Sequence, residues 1–225
     1  MITLAIDTST PRGTVALLRD DKPLAEVAFD RSQAGQNLFD AAARLLTEHR
    51  LTAADIGLLA VGLGPGSFTG IRAGIAAAKG IALPRKLPIK GASSYDALAL
   101  TALPKMPRDC PQMCVLGDAR RDEIYFALYD HTGRRVKDCR IATLEALADE
   151  IHQPIWFVGS EIERYKSDLA SLFGGFASIA EAPVFPGAAT VGSLAFHRFR
   201  DDGNRGDENP EPIYLRAPQY RKIGT

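Results

Sequence analysis

Three features of the 225-residue sequence predict an α/β protein built as two tandem halves of ββββ-α type. Each half opens with an apolar strand that runs into an aspartate, Asp7 in the first and Asp118 in the second. Three strand-like segments follow one another before any helical period begins. The same order of elements then returns after the composition break Pro104-Lys105-Met106-Pro107.

The first strand, Ile2 to Ile6, alternates apolar with small or polar positions and enters the turn Asp7-Thr8-Ser9-Thr10-Pro11-Arg12-Gly13. Thr14 to Arg19 forms the second strand, and Asp20-Asp21-Lys22-Pro23 turns the chain into a third at Leu24 to Phe29. From Asn37, a plausible cap, the period becomes helical through Leu38, Ala41, Ala42, Leu45, Leu46 and His49. Ile56 to Val61 is a short apolar run of the kind found in central strands buried on both faces. The glycine-rich loop 62–70 leads into a helix from Ile71 to Leu83, stopped by Pro84, then a strand at Leu87 to Lys90 and a helix at Ser94 to Leu103. In the second half, strands are predicted at Met113 to Gly117, Glu123 to Tyr129, Arg134 to Arg140 and Ile155 to Val158. Helices are predicted at Thr143 to Ile151, Glu161 to Leu172 and Ala188 to Arg200. The tail after Asp201, polar and proline-rich, reads as a surface excursion or a return strap.

This layout matches the duplicated, ribonuclease-H-like architecture of actin, sugar kinases and heat-shock ATPases, with halves at 1–105 and 106–225. A doubly wound Rossmann sheet alternates strand and helix from its start, which the three opening strands contradict. Hydrophobic residues make up 46% of the chain and charged ones 24%, the balance of a globular protein. Lysine plus arginine equals aspartate plus glutamate at 27 each, so no global field draws a polyanion; if nucleic acid is the ultimate substrate, another subunit grips it. No basic segment precedes Ile2 and no apolar run nears the roughly 20 residues that cross a bilayer, which predicts a cytoplasmic protein without membrane contact. Cys110, Cys114 and Cys139 have neither zinc-knuckle nor disulfide spacing and read as reduced thiols.

Chemistry is sparse. In an actin-like fold the Asp7-Thr8-Ser9-Thr10 turn, like Asp118 in the second half, approaches a nucleotide phosphate or its magnesium; equally, these side chains satisfy turn amides, and both readings stand. Gly64-Pro65-Gly66-Ser67-Phe68-Thr69-Gly70 lacks the Gly-Lys-Ser/Thr ending of a Walker loop, and Ser67 lacks the glycine spacing of a nucleophile elbow, so a protease reading has no support. Gly70, Gly74, Ala77, Ala78 and Ile81 make a low-relief stripe that serves either a partner interface or internal packing. Arg120 and Arg121 beside Asp118 and Glu123 either lock a turn by ion pairing or meet an anion. The four histidines are dispersed, and neither a metal site nor a Ser-His-Asp triad is predicted.

Four stretches resemble the TsaB family, also called YeaZ, over nearly the whole chain: 4–10, 64–74, 118–125 and Pro212-Ile213-Tyr214-Leu215-Arg216. The resemblance implies an actin-like fold and a non-catalytic role in placing threonylcarbamoyl on the adenosine beside the anticodon of tRNA. It implies a heterodimer with the transferase paralogue TsaD and a larger complex with the small ATPase TsaE. Without that partner the apolar face that docks it is exposed, which predicts a homodimer when alone, and the neutral charge balance predicts only indirect contact with tRNA. The paralogue's His-x-x-x-His pair has no counterpart here, and no resident cofactor is implied, with ATP or ADP at the complex interface left open. The family often carries a histidine where this chain reads Ala34-Gly35-Gln36-Asn37. Partner contact is implied for the two helices starting near Asn37 and Ile71, through Leu38, Ala42, Leu45, Gly70, Arg72, Gly74, Ala77 and Ala78. The alternative is a nucleotide-dependent ATPase or kinase of the same fold, resting on Asp7 and the glycine loop.

Overall fold

The computed structural model describes residues 1–30 and 34–216. In the first half β1 (Ile2–Asp7), β2 (Arg12–Arg19) and β3 (Lys22–Asp30) form an antiparallel meander, followed by α1 (Ala34–Glu48), β4 (Ile56–Gly62), α2 (Phe68–Ala82), β5 (Ile89–Ala92) and α3 (Ser94–Ala102). The second half repeats this as β6 (Gln112–Arg120), β7 (Glu123–Asp130), β8 (Arg135–Ala142), α4 (Leu144–Ala148), β9 (Ile155–Val158), α5 (Ile162–Phe173), β10 (Ala177–Ile179) and α6 (Ala188–Asp201). Each half holds a five-stranded mixed sheet, in orders β3-β2-β1-β4-β5 and β10-β9-β6-β7-β8, so the two are topological copies.

Five layers result. Leu4, Ile6, Leu17 and Leu59 of the first sheet pack under α1 and α2 through Leu38, Leu45, Ile71 and Ile75. The opposite face, with Ala5, Ala16, Leu18 and Ala60, is covered by α6 through Ala188, Val191 and Ala195. In the second sheet Leu116, Phe126 and Phe157 lie under α4 and α5, while Met113, Val115, Tyr129 and Trp156 face Tyr95, Leu98 and Ala102 of α3. Helix α3 thus packs on the second half's sheet and α6 on the first half's, and the two meet in the middle layer. The Gly187 N-cap of α6 supplies no side chain, so Thr14 Oγ1 and Glu26 Oε1 of the first half accept the Ala188 N–H at 3.0 and 2.7 Å.

Several expectations change. Helix α1 starts at Ala34, so Asn37 is inside it and its Nδ2 donates back to the Asp30 carbonyl at 3.1 Å instead of capping. Helix α2 begins at Phe68, because Ser67 caps it by accepting from the Gly70 N–H. The three-residue strand β10 was not anticipated, being too short to show a period. β4 is interior as expected, but the middle position belongs to β1. The break near residue 105 lies in the crossing between sheets, yet 188–201 packs on the first sheet, so the packing units do not follow a cut at 105. No described helix is long and apolar enough to cross a membrane.

Two core positions give tests. A Cβ at Gly192 would press on Leu18 and Ala5, so Gly192→Leu is expected to cost about 3 kcal/mol, read as a fall in the thermal midpoint. The Thr3 hydroxyl is buried without a hydrogen-bond partner among the described residues, so the isosteric Thr3→Val should be neutral or stabilise by about 1 kcal/mol in urea titration.

Candidate functional site

The strand ends of β1 and β6 face a cleft of about 360 Å³ between the halves. Its walls are Ser9, Thr10 and Pro11 after β1, Pro65 to Thr69 at the start of α2, Tyr95 and Leu98 of α3, Leu116 to Arg120 of β6, Tyr125 and the Ser160-Glu161 pair.

Behind the first wall sits Asp7, only 1% exposed. Its Oδ1 accepts the Ser9 amide at 2.9 Å and the Ser9 hydroxyl at 2.6 Å, and its Oδ2 accepts the Ser94 hydroxyl at 2.6 Å. Ser94 Oγ in turn accepts the Gly64 N–H at 3.0 Å, and the Ser94 amide donates to the Gly64 carbonyl at 2.9 Å. One carboxylate therefore ties the end of β1, the glycine loop and the start of α3. Gly62 is required beside it, since a Cβ there would overlap Oδ2. Burial raises the Asp7 pKa above its ordinary value, and the hydrogen bonds from Ser9 and Ser94 oppose that rise only in part.

The neighbouring hydroxyls are also turned inward. Thr8 Oγ1 donates to the Gly70 carbonyl at 2.8 Å, and the Ser67 amide donates to the Ser9 carbonyl at 2.7 Å. A Cβ at Gly74 would strike Thr8 Oγ1, so the small residues of α2 allow the helix to approach the β1 turn. The stripe thus serves internal packing. Gly70, Gly74 and Ala78 are buried against the sheet, as are Leu38, Ala42 and Leu45 of α1; Ala77 is half-buried and Arg72 alone of the eight is exposed. A helix that buries one face in its own core cannot offer that same face to a partner, which corrects the assignment of those six buried residues to docking.

Asp118 is placed differently from Asp7. Ile6 is the last residue of β1 paired with β4 and Val115 the last of β6 paired with β9, so Asp7 stands one residue beyond its pair and Asp118 three. It remains inside β6, because the strand runs on to Arg120. Its side chain lies in the cleft wall, 4% exposed, with Oδ2 between Arg164 at 2.7 Å and Arg120 at 3.1 Å, and Oδ1 accepting the Arg120 amide at 2.7 Å. Arg120, Arg121 and Asp122 all have positive φ, 65°, 60° and 59°, and form the tip of the β6–β7 hairpin. Glu123 pairs with Arg216. The charge run is thus locked by ion pairs, with the Arg120 side chain itself 81% exposed.

Of the four proposed nucleotide-contacting residues, Ser9 and Asp118 reach the cleft, whereas Asp7 and Thr8 lie behind its wall. The ionisable groups among the described cleft residues are Asp118, Arg120, Glu161, Tyr95 and Tyr125. Glu161 accepts the Asp118 amide at 3.2 Å, and burial pushes both tyrosine pKa values up, so the phenols stay neutral. The arrangement offers hydroxyls, backbone amides and an arginine to a ligand, and both of its carboxylates are engaged by donors of the chain itself. Ser94, Glu161 and Arg164 were not legible beforehand, because nothing local marks a residue 43, 46 or 87 positions away as a partner of Asp118 or Asp7.

A family model for TsaD, tRNA N6-adenosine threonylcarbamoyltransferase, matches residues 32–180. The tRNA threonylcarbamoyladenosine biosynthesis protein TsaB of Escherichia coli (strain K12) is 30% identical over 220 residues, spanning 95% of this chain and 94% of that one. The chain belongs to the TsaB family. YeaZ from Pseudomonas aeruginosa superposes on this TsaB-family chain with a TM-score of 0.79 at 26% identity, covering 95% of this chain and 99% of that one. The activator of 2-hydroxyisocaproyl-CoA dehydratase from Clostridium difficile, solved with bound ADPNP, superposes at 0.51 with 10% identity over 90% of this chain and 97% of that one, which shows the shared actin-like fold. The TsaB-like stretches 4–10, 64–74 and 118–125 are those that build the Asp7 junction, the α2 cap and the Asp118 wall.

Removing the Asp7 carboxylate by Asp7→Ala strands three donors and is expected to cost about 3 kcal/mol; Asp7→Asn, which keeps an acceptor for Ser9, should cost less. The raised Asp7 pKa means the folded chain holds this proton more tightly than the unfolded one. That stabilisation is present below the unfolded value of 3.8 and is lost as pH rises through the higher folded value. Denaturation of Asp7→Asn across pH 3.5 to 7 should therefore lack this decline, and a parallel profile for both chains would refute the assignment.

Proposed function

We propose that this chain is a non-catalytic partner subunit that supports a TsaD-type transferase in threonylcarbamoylation of the adenosine beside the tRNA anticodon. Membership of the TsaB family over almost the whole chain carries the reading. The engaged carboxylates at the cleft and behind its wall support its non-catalytic part: Asp7, behind the wall, is enclosed by Ser9 and Ser94, and Asp118, in the cleft, is neutralised by Arg120 and Arg164. A hydrolytic or transfer site of this fold would need one of them to face a metal or an attacking water.

Docking is assigned to the outward faces of α1 and α2, which lie side by side on the same sheet face. Those faces present Phe39 and Ala43 from α1 and Ala73, Ala76 and Gly80 from α2, with Leu83 just beyond, interspersed with the charged Asp40, Arg44, Glu48, Arg72 and Lys79 and turned away from the buried stripe. Phe39 is 49% and Leu83 77% exposed, large values for such side chains, and they suit a second actin-like subunit in the heterodimer or another copy of this chain when it is alone. A TsaE-type ATPase joins the larger complex, the work is done in the cytoplasm, and tRNA is held mainly by the other subunits.

Reconstitution tests this. Modification of tRNA by the adenylate synthase, the TsaD-type transferase and the small ATPase is expected to require this chain, and full activity without it would overturn the proposal. Ala76→Arg combined with Leu83→Glu should weaken heterodimer formation at least tenfold, about 1.4 kcal/mol, while moving stability by less than about 1 kcal/mol. Calorimetry with Mg-ATP separates the kinase or ATPase alternative, which demands tight binding and turnover by the isolated chain.

A further inference from the structure

The chain after α6 turns back over the first half as a strap with two unlike legs. Its inner leg is clasped to the edge strand β5. Lys90, 4% exposed, reaches Asp202 at 2.5 Å and Asp207 at 2.8 Å, the Asp207 amide donates to the Ile89 carbonyl at 2.7 Å, and Asp207 Oδ2 accepts the Gly91 N–H at 2.8 Å. The strap thereby also covers backbone groups that an edge strand would leave open.

The outer leg, 209–216, is held more lightly and crosses from one half to the other. Lys79 donates to Asn209 at 2.7 Å and the Ile213 amide to the Leu63 carbonyl at 2.8 Å. Tyr214, 43% exposed, accepts from Arg72 Nε at 2.8 Å, and its ring lies 5.7 Å from that of Phe68, whose face is covered by the Arg72 guanidinium at 3.6 Å. Arg216 then pairs with Glu123 on the second half, both about one-third exposed. Beneath the leg is a pocket of about 200 Å³ whose floor includes Gly66, Phe68 and Tyr125, residues that also line the main cleft.

We propose that this outer leg is a latch across the mouth of the cleft. Closed, it joins α2 to the β6–β7 hairpin through Arg216 and Glu123 and sets the separation of the halves on that side. Lifted, it bares Ile71 and Tyr125, uncovers the rest of the half-exposed Phe68 and lets the cleft widen, while the Lys90 clasp keeps the strap attached. The physical basis is the contrast between legs: a nearly buried lysine shared by two carboxylates resists opening, whereas an ion pair about one-third exposed and a surface ring stack open locally at modest free energy and are screened by salt. The inference stands apart from the proposed role in tRNA modification, since it concerns this chain alone.

Amide hydrogen exchange on the full chain tests it through Glu123→Gln, Arg216→Gln and the exchanged pair Glu123→Arg with Arg216→Glu. Both single variants should speed exchange at Ile213 by about fivefold or more and leave Asp207 and Gly91 unchanged, with the exchanged pair restoring protection. Spin labels on cysteines replacing the exposed Gly80 and Ser167, in a Cys139→Ser background, should report a longer and broader distance in the single variants. Unchanged exchange at Ile213, equal acceleration at Asp207, no rescue by the exchanged pair, or an unchanged label distance would each overturn the latch.

Discussion

One buried carboxylate sets the geometry of the front of this molecule. Asp7 receives three hydrogen bonds, two from Ser9 and one from Ser94, at a place where water has no access. A charge in that position persists only while every donor is in place, because an unmatched buried carboxylate is among the costliest groups a fold can carry. The requirement propagates outward. Gly62 must lack a side chain, Ser94 must stand at the first turn of α3, and the glycine loop must deliver its Gly64 amide to the same hydroxyl. The N-terminus of α2 is then held by Ser67 as cap and by the Ser9 carbonyl.

The second organising constraint is the exchange of helices. Each half buries one sheet face under its own helix pair and the other under a helix connected to the opposite half, α6 for the first sheet and α3 for the second. Neither sheet has a complete core without its neighbour, which favours folding as one cooperative unit. The polar bolts agree: Glu26 and Thr14 serve the start of α6, while Asp96 at the start of α3 is gripped by Arg135 at 2.5 Å and by the Tyr129 hydroxyl at 2.8 Å. These contacts join the halves through the middle layer of α3 and α6. The strap adds a further link between the halves through Arg216 and Glu123.

Duplication of the fold has not preserved the chemistry of its two aspartates. Asp7 is enclosed and uncompensated by any cation, so burial raises its pKa; Asp118, two positions farther along its strand, reaches two guanidiniums instead. The same residue type at nearly the same topological place is a hydrogen-bonding hub in one half and the centre of an ion-pair cluster in the other. For a TsaB-family chain this leaves a cleft between two actin-like halves whose neighbouring acidic side chains, Asp7 and Asp118, are engaged by donors of the chain itself.

The amino-acid sequence by itself determined the order of every strand and α-helix but the three-residue β10, because hydrophobic period, turn residues and strand length are local properties that each segment carries independently of its neighbours. It also marked the right loops, 7–10, 64–70 and 118–123, as the places where structure converges. Tertiary structure alone decided which face of a helix is inside: Gly74 and Ala78 read equally well as a docking stripe or as a packing stripe, and the fold sets Thr8 and Ile6 against Gly74 and encloses Ala78 in the first-half core. It likewise decided that Ser94 belongs to Asp7, Arg164 to Asp118 and Lys90 to a strap more than a hundred residues later. Such partners are set by the path of the backbone through space, and no local period or propensity encodes a pairing across that distance.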